Sequence, residues 1–315
     1  MDHVRGDEYR TPDGARSLST DGDRRVPVDG VPRHRVAVAI IHGVGWQESD
    51  FADDMMDAIG RAFYRLAPAA PDGALVFEPV HWAPVLEGAQ EELTRRVRSE
   101  HDLDWGWLRH LMISFVGDGI AYGLTSHDRH VYDAIHGVVA RSLHRLAGRA
   151  GADAPLCVIA HSLGSVIASN YLYDLGKPEL VGSEVQSHMR DAPLERGETL
   201  THFFTLGSPL AVWALHHQEF GCPLQVPPAE LARHHPGLEG SWLNFFDRDD
   251  VLAYPLRPLN DAYARAVTED VPVNAGGIIG RETPLSHNGY ETASKVIERM
   301  AATLAETWRR LGPHR

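Results

Sequence analysis

The sequence predicts an α/β fold with a mostly parallel central sheet flanked by helices. Short continuous apolar runs alternate along the chain with segments whose apolar residues recur every three to four positions. Apolar runs of this kind are typical of strands that a parallel sheet buries on both faces. The alternation of strand and helix therefore predicts parallel strands joined by right-handed crossover helices.

Each predicted element rests on one of these two patterns. The apolar runs predict strands over 36–41, 74–80, 156–160, 201–206 and 242–246. The helical spacing predicts helices over 51–66, 131–146, 163–175 and 292–311.

The domain organisation follows from the remaining segments. Residues 1–34 are polar and have no hydrophobic period, which predicts a flexible N-terminal tail. Residues 35–315 are predicted as a single domain of the α/β type. Three segments are candidate insertions, lid or cap elements: 98–128, 177–199 and 221–241.

Charge excludes one large class of partners. Asp and Glu number 43 and Lys and Arg number 30, which gives a net charge of −13. Nucleic-acid binding needs clustered cations, and the dense basic run at 95–98 lies in a mixed-charge stretch typical of a solvated helix face. We therefore expect no nucleic-acid partner.

Cysteine usage and the N-terminus predict the compartment. The two cysteines, Cys157 and Cys222, do not suggest a disulfide framework, and Cys157 lies inside a predicted central strand as a small hydrophobe. Residues 1–35 contain no apolar segment of a secretion signal, and no apolar run is long enough to span a bilayer. We expect a cytoplasmic protein with at most transient membrane contact. Its oligomeric state is left open.

The sequence Ala-His-Ser-Leu-Gly at 160–164 predicts a nucleophilic serine. It follows a predicted strand and opens a predicted helix, which is the strand–turn–helix context of a nucleophile elbow. Such a turn is tight, so small residues must flank the serine. Ser162 is the predicted nucleophile, and Ala160 stands where glycine is more usual.

The loop after the first strand predicts an oxyanion hole. It reads His42-Gly43-Val44-Gly45, and glycines here leave room for a developing oxyanion. The predicted donors are the backbone amides of Val44 and Leu163. His42, Gly43 and His161 are predicted to line the substrate pocket.

A serine hydroxyl needs a histidine base, which in turn needs an acid to hold it. In this type of fold the acid follows the serine and the histidine comes last. His287, the last histidine before the terminal helix, is the predicted base. Asp250 is the predicted acid because the apolar pair at 251–252 would anchor the loop after it, and Asp247 stays open as the alternative.

Several short motifs together resemble the lipase-like α/β hydrolases, and among them the intracellular phospholipases that carry a DDHD domain. The lipase-like segments are 160–167 and 203–210; the phospholipase-like ones are 42–45, 118–122 and 250–254. The four-residue signature of that phospholipase family is absent. The resemblance implies an α/β-hydrolase fold over roughly residues 36–290, with Ser162, Asp250 and His287 as triad.

These residues predict hydrolysis of a carboxylic ester of a small molecule or lipid through an acyl-enzyme, without cofactor or metal. One alternative is an acyltransferase that passes the same acyl group to an alcohol or amine. Another is a hydrolase-fold binding protein that has lost activity. A metal site in or near an insertion is a further alternative, with these candidate ligands: His216, His217, His234 and His235.

An apolar, aromatic segment at 103–116 contains Trp105 and Trp107 and is too short to span a bilayer. It is predicted either as a core-packed helix or as a lid or pocket wall that shelters an acyl chain. The second interpretation predicts a preference for medium or long acyl esters over acetate. It also predicts that alanine at both tryptophans raises KM more for long chains than for short ones.

Overall fold

The computed structural model describes residues 34–44, 48–100, 118–123, 129–276, 287 and 289–312. These residues contain six strands: β1 (Val36–Ile41), β2 (Leu75–Val80), β3 (Leu156–His161), β4 (Leu200–Leu206), β5 (Ser241–Asp247) and β6 (Glu269–Val273). All five strands predicted from apolar runs are present, with ends that differ by one residue at most.

Four long helices match the four predicted ones: α1 (Asp53–Leu66), α4 (His130–Ala150), α5 (Leu163–Leu175) and α10 (Ser294–Leu311). The remaining α-helices are α2 (Pro84–Glu100), α3 (Asp118–Gly123), α6 (Ser183–His188), α7 (Leu210–Trp213), α8 (Leu231–His234) and α9 (Asp261–Ala266). Single 3₁₀ turns occupy Pro178–Leu180, Ala214–His216, Gln218–Phe220 and Arg257–Leu259.

The strands form one parallel sheet in the order β2-β1-β3-β4-β5-β6. This confirms the α/β class. The sequence did not predict β6, because its residues Glu269-Asp270-Val271-Pro272-Val273 show neither an apolar run nor a clear alternation. β6 is an edge strand, where proline is tolerated because one side of the strand makes no ladder hydrogen bonds.

Helices cover both faces of the sheet. Along β1, Val36, Val38 and Ile40 pack against α1 and α10, whereas Ala37 and Ala39 pack against α4 and α5. Successive side chains of a strand point to opposite faces, so a run that is buried on both faces must be apolar at every position. This is why β1 and β3 appear in the sequence as unbroken apolar runs.

The parallel arrangement brings several loops to one edge of the sheet. His42 follows β1, Ser162 follows β3, Gly207 follows β4 and Asp250 lies three residues after β5. Because the strands run in the same direction, all these loops leave from the carboxyl edge. The sheet topology thus collects the predicted site residues from distant parts of the chain.

Several predicted features lie outside the described residues. These include residues 1–33 of the predicted tail, Gly45, and most of the candidate lid 98–128 with Trp105 and Trp107. The interpretation of that segment as a lid or a core helix therefore stays a prediction.

The other two candidate insertions contact the opposite edge of the sheet. The Leu194 amide donates to the Ala152 carbonyl at 2.9 Å, and His235 Nε2 donates to the Asp153 carbonyl at 2.6 Å. Residues 152 and 153 precede β3, whereas Ser162 follows it. These contacts place one part of each insertion at the amino edge of β3, and the role of both segments as lid or cap elements stays a prediction.

Both cysteines are free, with Cys157 buried in β3 and Cys222 exposed. No helix among the described residues is long and apolar enough to cross a membrane. The basic run of α2 is solvated where the structure describes its side chains, since Arg95 and Arg96 are exposed and both pair with Glu92.

Candidate active site

Ser162 occupies a strained turn between β3 and α5. Its backbone angles are φ +51° and ψ −128°, in a region that residues other than glycine rarely adopt. The Ser162 amide donates to the Leu206 carbonyl of β4 at 2.9 Å, which ties the turn to the neighbouring strand. Strain of this kind is expected where a turn must lift a serine hydroxyl out of a sheet.

Glycine at position 164 is required by a close approach of two backbones. A Cβ on Gly164 would lie 2.7 Å from the Ile41 carbonyl oxygen and would also overlap the His42 carbonyl. Ala160, by contrast, is fully buried among apolar side chains on the face of the sheet that α4 and α5 cover. Its methyl group therefore fits at a position where a nucleophile elbow more usually has glycine.

The three predicted triad residues are joined by hydrogen bonds. His287 Nε2 lies 2.7 Å from Ser162 Oγ, and His287 Nδ1 lies 2.8 Å from Asp250 Oδ2. An ionised carboxylate only accepts, so the ring proton sits on Nδ1 and Nε2 accepts from the serine hydroxyl. This is the tautomer that a general base for Ser162 requires.

Electrostatics keep this chain in its reactive protonation state. Burial lowers the pKa of His287 below its usual value; Asp250 opposes that shift and His161 adds to it. Burial alone would raise the pKa of Asp250, but hydrogen bonds from His287, the Leu252 amide and Tyr290 outweigh it and the pKa is lowered. At neutral pH the base is therefore neutral and the acid is ionised.

Asp250, and not Asp247, makes the hydrogen bond to His287. The Asp247 carboxylate accepts from the amides of Ala275 at 2.6 Å and Gly276 at 3.3 Å. Ala275 in turn lies against Gly289, where any side chain would overlap its carbonyl oxygen. Asp247 therefore holds the loop after β6, which supports the segment that carries His287.

The reason for preferring Asp250 was partly wrong. Val251 does not anchor the loop through burial, because 71% of its surface is exposed. The loop is held instead by the Leu252 amide, which donates to Asp250 Oδ1 at 3.0 Å.

The predicted oxyanion donors lie next to the nucleophile. Leu163 is the first residue of α5, where a backbone amide has no acceptor within its own helix. Gly43 packs directly on the turn, since a Cβ there would lie 2.7 Å from the Ser162 Cβ. Val44 follows Gly43 and is half-buried against the core. The two amides are thus near the serine, and their role as donors stays a prediction.

His42 holds the loop after β1 in place. The Trp82 amide donates to His42 Nε2 at 3.1 Å, and Nδ1 donates to the Gly43 carbonyl at 2.7 Å. The indole Nε1 of Trp82 donates to the His42 carbonyl at 2.9 Å, and the two rings stack with centroids 4.8 Å apart. Both ring nitrogens of His42 face backbone groups, and its place in the substrate pocket stays a prediction.

His161 supports His287 from the side opposite Asp250. Its Nε2 donates to the backbone carbonyl of His287 at 2.8 Å, and its Nδ1 lies 3.3 Å from Glu291 Oε1. The side chain is nearly buried. It was predicted as a pocket residue, and the structure directs both of its nitrogens to protein groups.

Tyr290 was missed by the sequence analysis, although it lies three residues after His287. Its hydroxyl donates to Asp250 Oδ2 at 2.8 Å and accepts from the Asp247 amide at 2.8 Å. Its position between the predicted base and the terminal helix was the available signal. A tyrosine there is equally compatible with simple core packing.

Ser208, a second serine that follows a strand and a glycine, has partners other than His287. Its hydroxyl lies 2.7 Å from Ser165 Oγ, which itself donates to the Ser162 carbonyl at 2.6 Å. Ser208 is fully buried and also accepts from the Leu210 amide at 3.3 Å. This network braces the nucleophile turn from inside the protein.

The described residues contain no cluster of histidine, cysteine and acidic side chains that could hold a metal ion. His234 pairs with Glu198, and His235 donates to a backbone carbonyl.

Comparisons with protein-family models, with curated proteins and with solved structures find no match to this chain. Functional inference therefore rests on the chemistry of the site itself.

Proposed function

We propose that this protein is a serine hydrolase of the α/β-hydrolase type that cleaves a carboxylic ester. The observation that carries the proposal is the continuous hydrogen-bonded chain from Ser162 through His287 to Asp250. It begins at a strained turn at the carboxyl edge of a parallel sheet, where substrates of α/β proteins bind. A buried serine with no catalytic role needs neither the strain nor the histidine.

In the proposed reaction His287 Nε2 takes the proton of Ser162 as Oγ attacks the ester carbonyl carbon. Asp250 stabilises the imidazolium that forms, because its carboxylate is held ionised beside Nδ1. The oxyanion is received by the amides of Val44 and Leu163, each worth about 3 kcal/mol in the transition state. His287 then protonates the leaving alcohol. In the second half of the reaction His287 takes a proton from water as the water attacks the acyl-enzyme, and it returns that proton to Ser162 Oγ as the acid leaves.

The test combines covalent labelling with an ester panel. A fluorophosphonate probe should label the wild-type protein at Ser162, identified by mass spectrometry of the labelled peptide. p-Nitrophenyl esters of increasing chain length, run beside phospholipids, then define the acyl and alcohol preference. Ser162→Ala should abolish labelling and lower kcat by roughly 10⁵-fold or more, since removing a triad serine removes covalent catalysis.

A matched control is Ser187→Ala, which removes an exposed serine hydroxyl on α6 and should leave labelling unchanged. Labelling at Ser208 would contradict the assignment of the nucleophile. A wild-type protein that is neither labelled nor active on any ester would instead favour a silent binding protein. Transfer of the acyl group to an added alcohol in preference to water would identify an acyltransferase.

A further inference from the structure

Tyr290 places a second proton donor on the carboxylate of the triad acid. The hydroxyl is fully buried and lies between the Asp247 amide and Asp250 Oδ2, each 2.8 Å away. A backbone amide can only donate, so the hydroxyl accepts from Asp247. Its single proton is therefore directed at Asp250.

The oxygen that accepts from Tyr290 is the one that accepts from His287. Both donors lie 2.8 Å from Asp250 Oδ2, while Oδ1 accepts from the Leu252 amide at 3.0 Å. Two donors on one oxygen share its electron density. Each hydrogen bond is consequently weaker than it would be alone, and the carboxylate cannot rotate.

The phenol ring of Tyr290 is fixed by Gly207, which directly follows β4. Gly207 has φ +57°, and a Cβ there would lie 2.8 Å from Cε2 of Tyr290. The Gly207 amide donates to the Phe245 carbonyl at 3.0 Å, which holds this glycine against β5. The ring thus packs flush on the backbone after β4, and the hydroxyl has no freedom to leave Asp250.

We propose that Tyr290 is a positioning residue that fixes the Asp250 carboxylate and limits how strongly Asp250 holds the Nδ1 proton of His287. The inference rests on the proposed function and adds a residue to that site. Other titratable groups also face His287, from the end of β3 and from its own segment: His161 and Glu291. They are unchanged in the variants below.

The first variant is Tyr290→Phe, which keeps the ring and removes the hydroxyl. Asp250 then loses a donor and becomes a stronger acceptor for His287, so the pKa of His287 rises. The acidic limb of the kcat/KM profile should move to higher pH by about half a unit, which is about threefold lower activity on that limb. The proton NMR signal of His287 Nδ1–H should move further downfield.

The matched control is Tyr171→Phe on α5. Tyr171 is also a buried tyrosine, and its hydroxyl has no hydrogen-bond partner among the described residues. Its pH profile and its NMR signal should overlay those of the wild type. A shift of equal size in both variants would show a general packing effect and would overturn the proposal.

A second variant covers the case in which Tyr290→Phe fails to fold. 3-Fluorotyrosine at position 290 keeps the hydroxyl and makes it a stronger donor, so the acidic limb should move to lower pH. An active wild type whose profile and NMR signal are changed by neither substitution would overturn this inference alone. A wild type without labelling or activity would overturn the proposed function, and the NMR signal would still test the hydrogen bond.

Discussion

Lowering the pH from about 7.5 to about 5.5 is expected to destabilise the fold through three buried histidines that transfer no proton in the proposed reaction. Burial lowers the pKa of His42 to about 3, of His136 to about 3 and of His202 to about 4. The hydrogen-bond partners of each ring are neutral groups, although His136 Nδ1 also lies 3.9 Å from Asp174 Oδ2. His136 Nε2 meets the Tyr122 hydroxyl at 2.9 Å, and His202 lies between two hydroxyl groups at 2.7 Å.

The magnitude follows from the difference between folded and unfolded pKa values. An unfolded histidine titrates near pH 6.5, so it takes up a proton as the pH falls below that value. The folded rings stay neutral to well below pH 5, so stability is present above the unfolded pKa and is lost as the pH falls. Linkage gives a loss of about 1.4 kcal/mol per histidine over this window, or about 4 kcal/mol for three. A loss of that size is a large part of a typical domain stability of roughly 5–15 kcal/mol.

The assay is urea unfolding at a series of pH values, followed by the fluorescence of buried tryptophans such as Trp82 and Trp242. The His202→Gln variant should have a lower unfolding free energy than the wild type at pH 7.5. Its unfolding free energy should also change less with pH, with a slope about a third smaller than that of the wild type. Ser187→Ala, at an exposed position on α6, removes no titratable group and should leave the slope unchanged. An unfolding free energy that stays constant from pH 7.5 to 5.5, or a His202→Gln slope equal to that of the wild type, would refute the reasoning.

Two further predictions concern the site. Asp250→Asn should lower kcat by roughly 10³–10⁴-fold. Asp247→Asn should instead lower the melting temperature and change kcat less than tenfold, because Asp247 holds residues 275 and 276. A larger loss of kcat in Asp247→Asn than in Asp250→Asn would show that the acid is Asp247. Gly43→Ala should lower kcat by about a hundredfold and leave the circular dichroism spectrum unchanged. The added Cβ would lie 2.7 Å from the Ser162 Cβ and must displace the loop that carries Val44. A variant with wild-type kcat would show that Gly43 does not position that loop.

The nucleophile turn was predictable because its requirements are local. Ser162 needs a strand before it, a helix after it and small residues beside it. The contact of Gly164 with the end of β1 is long-range, and only the fold shows it. A strand, a turn and a helix each leave a pattern within a few residues. The same applies to β1 and β3, whose burial on both faces produces continuous apolar runs.

The choice between two aspartates could not be made from local pattern. Asp247 and Asp250 differ in function because of contacts with Ala275, His287 and Tyr290, which lie at least 25 residues away in the chain. The positions of the aspartates along the chain do not predict contacts with segments that are distant in sequence. The resemblance to a family motif indicated Asp250, whereas the packing argument from Val251 pointed to the same residue for a wrong reason.

The hydrogen-bond partners of the two histidines beside the site could not be predicted for a related reason. His42 and His161 lie next to glycine and serine in loops that reach the site, which makes them natural candidates for contact with a substrate. Periodicity gives side-chain directions within helices and strands but not at the residues that follow them. Only the tertiary contacts show that both rings are bound to backbone groups.

The order of the strands also has a consequence for when the site becomes reactive. The serine strand β3 and the acid strand β5 are separated by β4, so their ends lie about 10 Å apart at the usual strand spacing. The histidine that joins them is 125 residues beyond the serine and precedes the last helix. During synthesis Ser162 can complete its turn long before His287 exists in the chain. If Ser162 is the nucleophile proposed above, its hydroxyl becomes reactive towards a covalent probe only once the segment with His287 has docked, so that labelling would report the docking of this segment.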